Sequence, residues 1–151
     1  MTFKAVLAIV FMVGCTSSMS TPDGATGAHK TLTWDADGAH RTGEPLAGAS
    51  LLQGVLVVSG NDTNGYGIAF SVTATTPGTY DLTHYSGTSF TYTDHTNSWA
   101  ISTTGGGTGS VVITAFTPTY VTGTFTANPV PTGSATGMPA ITNGVFDLVV
   151  N

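Results

Sequence analysis

The chain carries one thiol, four imidazoles and eight carboxylates, and their spacing decides what chemistry is open to it. Cys15 has no second cysteine to pair with, so it cannot form an intrachain disulfide. The imidazoles are His29, His40, His84 and His95, and Asp81 and Asp94 are close enough in sequence to orient a base. A nucleophile to complete such a pair is missing. No G-x-S-x-G occurs, and Gly133-Ser134-Ala135-Thr136-Gly137 imitates it with the wrong spacing. Catalysis is therefore not expected.

Metal-binding patterns are equally incomplete. Asp35-Ala36-Asp37-Gly38 places two carboxylates before a glycine, as at the start of a calcium loop, but the later ligands and the distal glutamate are absent. It reads as a β-turn. Asp62, between Asn61 and Asn64, reads as part of an Asx-rich hairpin loop. His84 and His95 lack a clear third partner for zinc, so neither metal nor cofactor is expected. The remaining candidates are Tyr80, Tyr85, Tyr92 and Trp99, in one Thr-rich stretch. Aromatic rings framed by hydroxyls can contact a sugar or a peptide, and the alternation of Phe90, Tyr92 and Trp99 equally suits a core face.

Lys4 precedes the apolar run from Ala5 to Val13, which is far shorter than the ~20 residues of a spanning helix. Residues 1–14 read as a signal peptide, with Gly14 the small residue at the cleavage point. Met12-Val13-Gly14-Cys15 resembles the lipobox of bacterial lipoproteins. That resemblance implies that Cys15 becomes the lipid-modified first residue, carrying a diacylglyceryl group and an amide-linked third chain such as palmitate. Two or more acyl chains give stable anchoring to a bilayer where one does not. By the same resemblance Thr16, in place of Asp, directs the protein to the outer membrane if the host is Gram-negative.

Positioning these residues falls to strands. The sequence has 20 Gly and 29 Thr against three Lys and Arg, and no long run of helix formers follows the apolar segment. Residues 15–28, rich in Ser, Thr, Gly and Pro, read as a flexible tether, and residues 29–151 as a single all-β domain. Strands are expected at 30–35, 39–42, 52–59, 66–75, 80–85, 89–93, 99–103, 110–116 and 120–127. A last pair, 140–142 and 145–150, is expected across Asn143-Gly144. Nine or ten strands at such spacing point to an antiparallel β-sandwich, with a small closed β-barrel as the alternative. The Pro-containing link 128–139 is long enough to cross between sheets. Gly123-Thr124-Phe125-Thr126 and Gly144-Val145-Phe146-Asp147 look alike.

The segments from Gly109 to Thr114, from Val121 to Phe125 and from Ile141 to Phe146 resemble recurrent elements of small bacterial lipoproteins of unknown function. In those a strand, a "GTF" strand and an "NG.F" hairpin follow one another near the C-terminus. The resemblance implies an all-β lipoprotein domain and no activity.

Net charge is −5, and without Lys4 the eight carboxylates face only Lys30 and Arg41, a formal −6. No basic footprint for nucleic acid is present. The expected function is a lipid-anchored, non-catalytic cell-envelope module, structural, adhesive or binding a protein or carbohydrate partner. The alternative is a carrier for a small ligand, whether sugar, lipid or cation.

Overall fold

The computed structural model describes residues 29–82, 87–102 and 104–151. Gly14, Cys15, the tether, His84 and Tyr85 lie outside them. Strands β1 (Lys30–Ala36) and β2 (Ala39–Thr42) form the first hairpin. Then come β3 (Gly48–Leu52), β4 (Val55–Asn61), β5 (Tyr66–Thr73), β6 (Gly78–Asp81), β7 (Ser89–Asp94) and β8 (Asn97–Ile101). Strands β9 (Thr108–Phe116), β10 (Tyr120–Asn128), β11 (Val130–Thr132) and β12 (Ile141–Val149) complete the order.

They form two six-stranded sheets, β2-β1-β12-β10-β9-β6 and β11-β8-β7-β5-β4-β3, with antiparallel neighbours throughout. Each sheet keeps two edges, so the fold is a sandwich and not a closed barrel. The link after β10 does cross: β11 pairs with β8 of the second sheet before β12 returns to the centre of the first.

Twelve strands lie among the described residues, against nine or ten expected: β3 and β11 are additional, and the expected last pair is the single strand β12. The run 52–59 is broken by a two-residue turn at Gln53-Gly54, with φ of 52° and 82°, so β3 and β4 are separate partners. The 128–139 link contains the short β11. Asn143-Gly144 is not a hairpin turn. β12 runs straight through it, and both of its pairings gain one residue there, between Thr33 and Asp35 on β1 and between Phe125 and Ala127 on β10. Flanked on both sides, β12 has no room to fold back, so Asn143 at φ 50° becomes a β-bulge. Asp37-Gly38, at φ 49° and 79°, is the tight turn its sequence predicts.

The core is built from alternate residues of both inner faces. Its centre is Phe70 and Phe90 from the second sheet against Phe125 and Phe146 from the first. The two similar G-x-F segments explain each other here. In the β10–β12 register Gly123 opposes Phe146 and Phe125 opposes Gly144, so each ring lies over the glycine across from it. A side chain on either glycine would occupy the ring's place.

Candidate functional site

The inner rows of both sheets change character at one end of the sandwich. Along β5, Ile68, Phe70 and Val72 point inward, and the same alternation brings Tyr66 to the rim. Along β7, Phe90 and Tyr92 lead in the same way to Asp94, the cross-strand partner of Tyr66. On β2, Arg41 is the cross-strand partner of the fully buried Trp34, and such partners leave the sheet on one face. Arg41 therefore faces inward from an edge strand of the first sheet, and its guanidinium carbon lies 3.6 Å from the centre of the Tyr66 ring in the second. A cation–π contact spans the mouth of the sandwich.

Short turns hold these parts in place. The Asp62 carboxylate accepts hydrogen bonds from the backbone N–H of Asn64 at 2.8 Å and of Tyr66 at 2.9 Å, which fixes the start of β5. Asp37 exchanges backbone and side-chain hydrogen bonds with Ala140, tying the β1–β2 turn to the segment entering β12. His95, in the β7–β8 turn, contacts the Asp94 carboxylate through Nδ1 at 2.6 Å and meets the Tyr66 ring edge-on at 5.2 Å. Tyr66 thus has an arginine over its face and an imidazole at its edge.

Two donors in this region have no acceptor among the described residues, Trp34 Nε1 and Arg41 Nε, and no ion pair of the described residues includes Arg41. A buried donor left unpaired costs about 1–3 kcal/mol. Arg41 is the only arginine of the chain.

Of the aromatic residues singled out from sequence, the fold joins two. Tyr92 and Trp99 stack at 5.5 Å, directly behind the mouth, and Trp99 Nε1 donates to the Gly137 carbonyl at 3.2 Å. They are only 4% and 7% exposed, so they brace the mouth from within. Tyr80 lies apart, on the edge strand β6 of the other sheet, with its hydroxyl donating to the Thr76 carbonyl at 2.6 Å. From sequence, Arg41 and Tyr66 are passed over, and His95 is weighed only as a base beside Asp94 or a zinc ligand, of which the fold supplies the contact with Asp94. The register of the β1–β2 hairpin is the signal that could have found Arg41.

Burial, reinforced by the Asp94 carboxylate, pushes the Tyr92 phenol up from 10.0 to about 12. Below pH 10 both folded and unfolded chains hold the proton, and Tyr92 contributes no pH dependence. Between pH 10 and about 12 the unfolded chain ionises first, so stability should fall as pH rises through that window. Thermal melts across the window check this: Tyr92→Phe should flatten the slope, and an unchanged slope would remove Tyr92 as its source.

Other polar groups form separate clusters. Asp35 accepts from Asn143 Nδ2 and contacts His40 Nδ1, each at 2.8 Å, and these partners hold its carboxyl below the usual range. His29 contacts Asp147 and stacks on Tyr120 with ring centres 4.5 Å apart. Beside this pair opens a cleft of about 420 Å³ lined by Lys30, Glu44, Pro45, Leu148 and Asn151 among others. Among the described residues no three His, Cys, Asp or Glu side chains gather as a metal site would require.

The molecule is thus an all-β sandwich with an arginine–aromatic cluster across one end. Residues 45–149 match the model of a domain of unknown function, DUF6252, and the chain belongs to that family. The matched segment includes Tyr66, Tyr92, Asp94, His95 and Trp99, and Trp34 and Arg41 precede it. Comparisons with curated proteins and with solved structures found no match.

Proposed function

We propose that this protein is a lipid-anchored, non-catalytic module of the cell envelope, whose β-sandwich presents a binding surface to a partner. The observation that carries the reading is Cys15, the only cysteine, placed directly after an apolar run and a glycine. Acyl chains on Cys15 hold the domain at a bilayer, with residues 16–28 as the tether, at the outer membrane if the host is Gram-negative. The chain needs no spanning helix for this, and no helix among the described residues is long and apolar enough to cross a membrane.

Cys15→Ser tests the anchor. In cells fed labelled palmitate, the wild-type chain should enter the membrane fraction and take up label. The variant should lose the label and appear in the soluble fraction or remain unprocessed. Unlabelled wild-type protein, or membrane association unchanged by the substitution, would overturn the anchor.

A second reading, a carrier for a small ligand, is favoured by the cleft beside His29, whose volume of about 420 Å³ is in the range of small-molecule pockets. Its mixed lining of Lys30, Glu44 and Leu148 suits a polar ligand with an apolar edge, such as a sugar.

A further inference from the structure

We propose that the Arg41 end of the sandwich is a binding site for a singly charged carboxylate group. The assignment stands on the geometry of the mouth and does not depend on the Cys15 anchor.

Arginine stacked on an aromatic ring commits the face of its guanidinium and leaves the edge of the plane, with its N–H groups, open to an acceptor. Arg41 stacks in this way: its guanidinium lies over Tyr66 and belongs to no ion pair of the described residues, and its Nε–H is covered and without an acceptor, so the terminal nitrogens are the part of the half-buried side chain left to a ligand. A carboxylate approaching end-on in the guanidinium plane would receive two parallel N–H bonds from the two terminal nitrogens, the fork geometry that suits a planar acid. Trp34, across the strand pair from Arg41, is fully buried on the same face of the hairpin and gives the arginine a rigid floor.

The rim sets the charge of the guest. Asp94 and Asp37 flank the mouth, one as the cross-strand partner of Tyr66 and the other in the β1–β2 turn. A dianionic phosphate would meet both, whereas a single carboxylate finds one cation and the least repulsion. The Tyr66 and His95 rings offer a planar or apolar body beside it a place to rest. Two sources share this chemistry, a sugar acid and an acidic peptide side chain.

The composition makes the test direct, because the chain has one arginine and two tryptophans. In the full-length chain, nitrogen-15 labelled and held in detergent, the Arg41 Nε–H and two indole N–H signals can each be followed. Titration compares galacturonate with galactose, and doubly capped glutamate with doubly capped glutamine. At least one acid should shift the Arg41 signal and bind ~10-fold or more tightly than its neutral counterpart. The signals of the fully buried Trp34 and of Trp99, already bonded to Gly137, should stay in place. Which acid binds identifies the source.

Arg41→Gln should abolish the preference for the acid. Arg41→Lys, which keeps the charge but not the fork, should weaken it. Melting curves establish that both variants fold, and if either does not, the wild-type titration decides alone. No shift with either acid, or equal response to acid and neutral ligands, would overturn the proposal.

Discussion

Phe125→Ala is expected to lower the free energy of unfolding by about 3–5 kcal/mol, a large share of the ~5–15 kcal/mol typical of a domain. Phe125 is 2% exposed and touches rings from both layers. Phe70 and Phe90 of the second sheet lie 5.3 and 6.4 Å away, and Phe146 of the first sheet lies 6.4 Å away. Truncation would leave a cavity between two sheets, each stiffened by its own hydrogen-bonded ladder, so bending of either sheet into the gap is restricted. Urea unfolding should show a lower midpoint with an unchanged slope. Phe116→Ala, at the half-buried end of β9, should cost well under half as much. A loss below about 1 kcal/mol at Phe125 would mean that the sheets can close over the gap.

Much of this architecture is visible in the amino-acid types. Alternation at Ile68, Phe70 and Val72 and the turn chemistry of Asp37-Gly38 place strands and a hairpin where they occur, because each rests on a local preference that the fold leaves intact. Asn143-Gly144 carries the same turn chemistry and is overridden, since β12 is hydrogen-bonded on both sides and keeps the left-handed residue as a bulge. Gln53-Gly54 escapes notice for the opposite reason: glutamine is an uncommon first residue for such a turn.

The candidate site was less legible, because it depends on which rows of the two sheets end together. Its first step was nonetheless available. A two-residue turn at Asp37-Gly38 fixes the pairs Ala36 with Ala39 and Trp34 with Arg41, which puts the sole arginine on the face of a core tryptophan. That Tyr66 of the opposite sheet meets it there follows only from sheet packing, which no local pattern encodes. Tyr92 and Trp99 illustrate the same limit. Their spacing suited either a ligand platform or a core row, and the packing buries them behind the mouth.

Gly123→Ala should be the most damaging single-methyl change in the domain, with an expected loss of about 3 kcal/mol or more. In an ordinary strand this substitution would stabilise, because alanine has less backbone freedom to lose than glycine. Here the new Cβ would lie 2.2 Å from the Val112 carbonyl oxygen and 2.4 Å from Cζ of Phe146. Both the β9–β10 ladder and the ring must give way. Gly48→Ala provides the control, since nothing lies within 4 Å of its Cβ position and its effect should stay within about 0.5 kcal/mol. A double-mutant cycle with Phe146→Ala separates the two obstacles. Removing the ring relieves one contact and leaves the carbonyl, so the pair should cost less than the sum of the single losses by more than about 0.5 kcal/mol. Strict additivity would place the whole penalty on the backbone, and a neutral Gly123→Ala would show that the reciprocal glycine–phenylalanine pairing is not what sets the β10–β12 register.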